Sequence, residues 1–530
     1  MATSVAATGT GEMVLAESQN AVEFLSRPQA YPERPSGVAR IETHISHVFV
    51  TDRYVYKLKK PVRYEFVDFS TIQLRQAACR EELRLNRRLA ADVYLDMLPV
   101  TRGPSGRLTL AGAGPAVDWV VKMRRLPADR MLDRLILEGR LTDGDVAALA
   151  DYLARFYLHA PPLTVRPEEH RRAIERHVRA NRGELLEAEH QLPPALVRRV
   201  HAAQLRLLVL WPELFDARVC DGRIVDGHGD LRPEHICLES RPAVFDCVEF
   251  SADLRAVDVA DELSFLAAEC AMLDAPQVGQ RVLDAYLKAS GDRPPGELLA
   301  FYQTYRASVR AKVAALRGRQ QTAAERTRSR ELATRYLQLA DRRIATLGPP
   351  LVLVVGGVAG TGKTTLADQL AETFGLANLR TDVVREHLFG TCDEAAYDQG
   401  QYDPASRQRV YDELFVQAER VVAGREGVVL DGTFLSAAHL SRIATIVGQH
   451  GLQLLHLRCE CPLEVAEERI RLRRAAAQDQ SQAQPEIVAR QLARQQPPPP
   501  DVPWLAIDST APPAAQLAAA CERLRAIARP

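Results

Sequence analysis

The segment that most constrains this chain runs from a short apolar strand through a glycine-rich turn into a helix. Residues Leu351–Val355 are an unbroken aliphatic run, typical of a strand buried on both faces. The turn Gly357–Thr364 reads GVAGTGKT, and Leu366, Leu370 and Phe374 then recur at helical spacing. A buried strand that leads at once into an amphipathic helix predicts a parallel sheet covered by helices.

The turn matches the pattern G-x-x-x-x-G-K-[ST] in full. Its glycines let backbone N–H groups point at phosphate oxygens, and the following helix N-terminus adds positive potential. Lys363 is one of only seven lysines among 68 basic residues, so we expect a specific role for its compact ammonium group on the β- and γ-phosphates. We expect Thr364 to ligate Mg²⁺. The predicted nucleotide-binding residues are Gly357, Val358, Ala359, Gly360, Thr361, Gly362, Lys363, Thr364 and Thr365.

Polar residues at the ends of two later strands predict the reacting end of this site. Asp382 and Arg385 stand three residues apart where the second strand of such a sheet should end. Asp382 could accept the proton of a substrate hydroxyl, and Arg385 could hold a phosphate. Asp431 follows the apolar run Val428–Leu430, and its carboxylate could hold the water shell of Mg²⁺.

A basic helix near Arg469 and Arg473 admits two interpretations. Its arginines could form a solvated surface, or they could belong to a lid that closes over the transferring phosphate and binds the nucleotide. The sequence alone leaves both interpretations open.

Residues 350–530 resemble the small P-loop kinases of the gluconate-kinase-like, zeta-toxin-like and polynucleotide-kinase-like groups. The resemblance rests on Gly357–Thr364, on Asp382-x-x-Arg385 with the following Leu388–Gly390, on Asp431, and on Arg469 with Arg473. It implies ATP and Mg²⁺ as cofactors, Asp382 as the base that contacts the substrate, and a small-molecule hydroxyl or a nucleic-acid end as the acceptor. The guanine signature N-K-x-D of GTPases is absent from the sequence.

A second group of candidate catalytic and metal-binding residues lies at His228–His235 and Val244–Asp246. The runs Ile236–Leu238 and Ala243–Phe245 would pair as a hairpin, which brings His235 and Asp246 to the same end. Asp230 lies in the loop that leads to that end, so a base and a Mg²⁺ ligand could meet there.

Upstream of this hairpin, Lys57 lies in a predicted strand and needs a carboxylate partner. Glu81 and Glu82 border the apolar stripe of the next helix, and periodicity does not choose between them. The strand itself is one of two that alternation predicts within Ala39–Lys60, and Ser70 is the predicted N-cap of the helix that reaches Ala90.

This part of the chain resembles the aminoglycoside-phosphotransferase branch of the protein-kinase-like fold, whose signature is H-G-D-x-x-x-x-N followed by a metal-binding Asp. The resemblance implies Asp230 as base, Asp246 as Mg²⁺ ligand, Lys57 as the phosphate-binding lysine and Glu82 as its partner. His235 stands at the metal-side position where the family has Asn, and Ile41–Phe49 contains no glycine for a phosphate-covering loop. An active kinase, a ligand or nucleotide sensor, and a structural remnant remain open.

The segments Thr43–Phe49 and Tyr56–Pro61 also resemble bacterial proteins in which such a domain is fused to a P-loop kinase. The predicted fold class is therefore α/β plus α+β: a two-lobed protein-kinase-like domain, then a three-layer α/β/α P-loop domain with a parallel sheet. We expect disorder in residues 1–20, the kinase-like domain at 21–346 and the P-loop domain at 350–530. The boundary at Gly348–Pro350 predicts halves that can be separated.

The composition of the chain excludes several classes of protein function. Sixty-eight Lys and Arg balance 68 Asp and Glu, which argues against a nucleic-acid or anionic-membrane binder. Nine scattered cysteines form no disulfide framework, and neither a secretory signal nor an apolar run of about 20 residues is visible. We therefore expect a cytoplasmic, ATP-dependent phosphotransferase acting on a small-molecule hydroxyl. The alternative is a regulatory ATPase with a sensing N-terminal domain, and the oligomeric state stays open.

Overall fold

The computed structural model describes residues 9–64, 67–319, 321–390, 400–475 and 487–528, and among their side chains all but those of 9–16 and 473–475. The chain divides into two compact units, Met1–Val165 with Asp221–Pro294, and Arg166–Cys220 with Pro295–Pro530. The boundary predicted between 346 and 350 lies inside the second unit. No helix in the described ranges combines the length and the apolar character needed to cross a bilayer.

The first unit is built around an antiparallel sheet of six strands. Their order across the sheet is β1-β2-β3-β8-β6-β7. Three short pairs, β4 with β5, β9 with β12 and β10 with β11, complete its strands. In chain order the strands are β1 Ala39–Glu42, β2 Ser46–Val50, β3 Tyr54–Lys59, β4 Arg63–Tyr64, β5 Val67–Asp68, β6 Tyr94–Arg102, β7 Leu108–Leu110, β8 Ala116–Arg124, β9 Ile224–Asp226, β10 Ile236–Leu238, β11 Pro242–Val244 and β12 Ala256–Asp258.

The helices of the first unit flank this sheet and the β10–β11 hairpin. They are α1 Gly9–Leu25, α2 Ile72–Ala90, α3 Leu132–Leu137, α4 Asp143–His159, α8 Ala252–Arg255, α9 Val259–Met272 and α10 Pro276–Ser290. The predicted hairpin is confirmed, because Ile236 pairs with Val244 and Leu238 with Pro242. It is this pairing that sets His235 and Asp246 at one end.

Three local predictions for the first unit need correction. Ala39–Lys60 contains three strands rather than two, since β1 turns back into β2 around Thr43. The N-cap of α2 is Thr71, whose hydroxyl accepts a hydrogen bond from Leu74 N, and not Ser70, which is engaged by Asp68. Residues 9–20, where the sequence predicts disorder, belong to the helix α1, which continues to Leu25 in the core that contains Phe49 and Tyr56; residues 1–8 lie outside the described part.

The second unit contains a sheet of five parallel strands in the order β14-β15-β13-β16-β17. The strands are β13 Leu351–Gly356, β14 Ala377–Arg380, β15 Val428–Asp431, β16 Gln453–Glu460 and β17 Trp504–Asp508. Every residue of β13 and β15 is buried, as expected for central strands covered on both faces.

The helices of the second unit include segments from both sides of the predicted boundary. They are α5 Pro167–Leu185, α6 Pro194–Leu210, α7 Glu213–Cys220, α11 Gly296–Gly318, α12 Ala323–Asp341, α13 Lys363–Phe374, α14 Thr381–Phe389, α15 Pro404–Ala423, α16 Ala437–His450, α17 Leu463–Ala475, α18 Ile487–Arg494 and α19 Pro513–Ile527.

Arginines of α5 and α6 explain why these helices group with the parallel sheet. Arg179 donates hydrogen bonds of 2.7 Å to Glu372 O and 3.0 Å to Thr373 O, at the carboxyl end of α13. Arg198 Nε lies 2.5 Å from the Glu426 carboxylate just before β15. Guanidinium groups at a helix C-terminus complement its dipole and satisfy its free carbonyls. The second unit is therefore assembled from segments that are distant in sequence.

Candidate functional site

The glycine-rich turn of the second unit connects β13 to α13. Gly357, Gly360 and Gly362 adopt positive φ angles of 131°, 79° and 78°. A Cβ atom at Gly360 would lie only 2.3 Å from Ala466 O, and one at Gly357 only 2.5 Å from Cys459 O. Both the backbone conformation and the close approach of neighbouring chain therefore require glycine at these positions. Of the remaining predicted turn residues, Val358 is buried and Thr365 is exposed.

Thr364 and Asp431 meet at the start of α13. The Thr364 hydroxyl donates a 2.7 Å hydrogen bond to Asp431 Oδ2, and the pairing of Val355 with Asp431 across β13 and β15 sets this geometry. Burial raises the pKa of Asp431, against the opposing effects of Lys363 and Thr364. A buried carboxylate beside a hydroxyl is an all-oxygen donor set, which fits Mg²⁺.

Lys363 and Asp382 approach the same region from two directions. Lys363 Nζ donates a 2.7 Å hydrogen bond to Val358 O inside the turn. Asp382 lies in the first turn of α14, where its carboxylate contacts the guanidinium of Arg385 and is near enough to raise the pKa of Asp431. The Arg385 guanidinium also lies 4.7 Å from the ring centroid of Tyr402.

Arg380 was not predicted, although it belongs to this cluster. Its Nε atom lies 3.6 Å from Asp431 Oδ2 because the two residues pair across β14 and β15. Because this chain uses arginine at almost every basic position, an arginine at the end of a strand does not by itself indicate a functional residue.

Arg469 lies beside the glycine-rich turn. It donates hydrogen bonds of 2.8 Å to Ser509 O and 3.2 Å to Ser509 Oγ, and a Cβ atom at Gly362 would lie 3.7 Å from its Nη1. Gln491 of α18, which was not predicted, accepts a 2.7 Å hydrogen bond from Ala359 N of the turn. The side chain of Arg473 lies outside the described residues, so its role stays a prediction.

The first unit brings Lys57, Glu82 and Asp246 together. Lys57 Nζ lies 2.9 Å from Glu82 Oε1 and 2.6 Å from Asp246 Oδ1. Burial disfavours the charge on Lys57, but Asp246 and Glu82 outweigh it and raise the Lys57 pKa well above its usual value. Glu81, the alternative that periodicity left open, instead forms an ion pair with Arg84 on the surface of α2.

A second lysine extends this buried network. Lys59 is two residues from Lys57 on the same face of β3, and its side chain is 0% exposed. Its Nζ lies 2.5 Å from Glu82 Oε2 and also contacts Glu249. Neither Lys59 nor Glu249 was predicted, although the scarcity of lysine in this chain was a usable signal for Lys59.

The loop before the hairpin holds Asp230 and His235. Arg232 Nε donates a 3.0 Å hydrogen bond to Asp230 Oδ2. His235 Nδ1 lies 2.9 Å from Asp230 O, and His235 Nε2 lies 3.6 Å from Asp246 Oδ2. The buried carboxylate of Glu262 anchors the loop by accepting a hydrogen bond of 3.0 Å from His228 N. Glu262 was not predicted, because no local pattern links it to this loop.

Comparisons with known proteins identify relatives of this chain. The family model described as an AAA domain matches residues 352–498. The uncharacterized protein Rv2004c of Mycobacterium tuberculosis is 34% identical to this chain over 464 residues, which are 86% of this chain and 89% of the relative. The chain belongs to the Rv2004c family. The alignment with Rv2004c is long enough to include residues of both units.

Two solved structures are similar to separate parts of this Rv2004c family member. A gluconokinase from Sinorhizobium meliloti 1021 is 22% identical, covers 33% of this chain and 95% of that chain, and has a TM-score of 0.24. The GDP complex of aminoglycoside 2'-phosphotransferase-IIIa is 13% identical, covers 62% of this chain and 98% of that chain, and has a TM-score of 0.35. The predicted combination of an α+β part with a P-loop domain that contains a parallel sheet is confirmed by the family match and the strand order.

Proposed function

We propose that this protein is an ATP-dependent phosphotransferase, whose P-loop site transfers the γ-phosphate of Mg·ATP to a hydroxyl group of a small molecule. The observation that carries the proposal is the Asp382–Arg385 pair beside the Thr364–Asp431 hydrogen bond. A nucleotide switch needs the turn and the metal ligands, but it has no use for a carboxylate base paired with a phosphate-binding arginine.

In the proposed reaction the acceptor hydroxyl oxygen forms a bond to the γ-phosphorus while the bond from that phosphorus to the leaving ADP oxygen breaks. The Asp382 carboxylate takes the hydroxyl proton. Its present partner, Arg385, would turn to the transferring phosphate, which leaves the carboxylate free to act as base.

The remaining charges of the site would stabilise the transferring group. Lys363 would exchange its hydrogen bond with Val358 O for the β- and γ-phosphates, and Arg469 would approach from the side of Gly362. Thr364 and Asp431 would hold Mg²⁺, which supplies charge neutralisation to the phosphates when bound.

The proposal extends to a second nucleotide site in the first unit. Lys57, held by Glu82, would contact phosphate oxygens, and Asp230 would be the base in the loop at the hairpin. Its supporting observation is the Lys57–Glu82–Asp246 cluster, which joins three residues of β3, α2 and the segment after β11.

The test is a screen of the full chain with Mg·ATP against sugars, nucleosides, aminoglycosides and RNA ends, read as ATP-dependent mass gain of the acceptor. For the acceptor that responds, Asp382→Asn should lower the transfer rate about 10²- to 10⁴-fold while ATP affinity changes little. Asp412→Asn, which breaks an exposed pair with Arg442 on neighbouring helices, is the matched control. ATP hydrolysis that is independent of every acceptor, and unchanged in Asp382→Asn, would instead support a regulatory ATPase.

A further inference from the structure

The two sites differ in the donor atoms that they offer to a cation. Thr364 and Asp431 present only oxygen atoms, whereas the site in the first unit sets an imidazole nitrogen beside a carboxylate. Mg²⁺ binds almost entirely through oxygen ligands, whereas divalent transition metals accept an imidazole nitrogen, with affinities for such sites that rise from Mn²⁺ to Co²⁺. We propose that the first unit binds a transition-metal ion of the Mn²⁺ or Co²⁺ class between His235 Nε2 and Asp246, in preference to Mg²⁺.

The imidazole of His235 is oriented as a metal ligand. Its Nδ1 atom is hydrogen-bonded to the backbone oxygen of Asp230 at 2.9 Å, so Nδ1 carries the proton and Nε2 presents a lone pair. A backbone carbonyl that fixes the tautomer of a histidine is a common outer-shell arrangement at metal sites. His235 is also 6% exposed and stands 6.0 Å from the Phe245 ring centroid, so the ring has little freedom to turn away.

The separation of the donor atoms is close to what one ion requires. His235 Nε2 and Asp246 Oδ2 lie 3.6 Å apart. Two ligand atoms bonded to one ion at about 2.1 Å lie roughly 3.0 to 3.4 Å from each other. Lys57 Nζ lies 2.6 Å from Asp246 Oδ1, so the carboxylate would close that difference by turning about this ion pair, with Oδ2 moving toward His235.

Arg232 currently supplies the positive charge next to Nε2. Its Nη2 atom lies 3.1 Å from His235 Nε2, while its Nε and Nη1 atoms are engaged by Asp230 at 3.0 Å and by Glu234 at 2.5 Å. These two carboxylates would retain the guanidinium if an ion took its place at Nε2. If Arg232 instead stays hydrogen-bonded to Nε2, its guanidinium is the cation of this site. A titration with Mn²⁺ distinguishes the two cases.

This inference depends on the proposed nucleotide site only for the remaining ligands, which would be phosphate oxygens. It is tested on the full-length chain carrying Asp431→Asn, so that the P-loop site does not add a second ion. Mn²⁺ is titrated alone and with a non-hydrolysable ATP analogue. The readout is pulsed electron paramagnetic resonance, which detects a nitrogen nucleus bonded to Mn²⁺.

We expect a nitrogen coupling from one imidazole in at least one of the two conditions. His235→Asn should abolish the coupling and lower the affinity for Mn²⁺ relative to Mg²⁺ at least about tenfold, because loss of even an outer-shell partner of a ligand typically costs about 10- to 100-fold in metal affinity. His159→Asn, an exposed histidine at the end of α4 in the same unit, is the control and should leave the coupling intact. Asp246→Asn should weaken Mn²⁺ binding, with circular dichroism confirming that both site variants fold.

The outcomes separate this inference from the proposed function. No nitrogen coupling in either condition, or a metal preference that His235→Asn does not change, would overturn the inference and leave Arg232 as the partner of His235. If the ATP analogue binds under those conditions, the nucleotide site stands without the transition metal. If Mn²⁺ shows the coupling but the analogue does not bind, the metal site stands and the proposed nucleotide site of the first unit fails.

Discussion

Lys59 Nζ lies 2.5 Å from Glu82 Oε2, while Lys57 holds the other oxygen of the same carboxylate. Both Lys59 and Glu82 are fully buried, and Lys59 also contacts Glu249, three residues after Asp246. The two lysines of β3 therefore attach the segment after the hairpin to the strand at two points. These two ion pairs hold Asp246 in position next to β3.

Replacing Lys59 should destabilise the first unit. Lys59→Met leaves two buried carboxylates with one cation fewer, and breaking a buried ion pair typically costs about 3–5 kcal/mol. The measurement is urea unfolding, with Lys60→Met as control because Lys60 pairs with a half-exposed Glu42 and should matter by less than about 1 kcal/mol. Equal unfolding midpoints for the two variants would contradict the assignment.

Replacing Lys363 should slow phosphoryl transfer with no loss of folding. Its ammonium group would meet charge that grows in the transition state, so Lys363→Ala should reduce the single-turnover rate at least about 10²- to 10³-fold. Lys288→Ala on the exposed face of α10 is a control that should transfer at the wild-type rate. An unaltered rate in Lys363→Ala would exclude the P-loop site as the site of transfer.

Replacing Asp431 should stabilise the metal-free protein while abolishing metal-dependent nucleotide binding. Burial raises the pKa of this carboxyl, so at pH 7 its ionised form is disfavoured in the folded state relative to the unfolded state. Asp431→Asn removes that penalty, and its melting temperature in chelator should exceed that of the wild type at pH 7. The advantage should fade as the pH falls through the raised pKa toward the usual value of 3.8, where the wild-type carboxyl becomes protonated in both states.

The contrary result, a lower melting temperature at neutral pH, would show that the hydrogen bond from Thr364 outweighs the cost of the buried charge. Calorimetry with Mg·ATP, performed on the same samples, reports the loss of binding independently of stability.

Cutting the chain at the predicted boundary should not separate its parts. The sequence predicts separable halves at Gly348–Pro350, but Arg179 and Arg198 bond to residues on the far side of that boundary. After cleavage at a protease site inserted between Gly348 and Pro349, we expect the fragments to co-elute in size-exclusion chromatography.

Arg179→Ala combined with Arg198→Ala should weaken this association. The matched control is Arg172→Ala, which breaks an exposed pair with Glu168 within α5. Free separation of the wild-type fragments would restore the boundary that the sequence predicts.

Local patterns predicted the parts of the two sites that depend on neighbouring residues. The strand, turn and helix from Leu351 to Phe374 follow from side-chain periodicity and glycine placement within 24 residues, and the β10–β11 hairpin follows from periodicity within a shorter segment. The same reasoning was wrong about the N-cap of α2, because Ser70 and Thr71 are both acceptable caps and only the engagement of Ser70 by Asp68 selects between them.

The sequence by itself determined that this chain has a phosphate-binding turn on a parallel sheet and a second constellation around Asp230 and Asp246. Only the tertiary structure added Lys59, Glu249 and Arg380, and joined α5 and α6 to the unit of the parallel sheet. It also pairs Lys57 with Glu82, which the family resemblance had indicated and which periodicity did not select. The physical reason is that strand register and ion pairing act between residues far apart in sequence, such as Arg198 and Glu426, which are 228 positions apart. The spacing of apolar residues shows which face of a helix or strand is buried. It does not show which charged residue lies opposite that face.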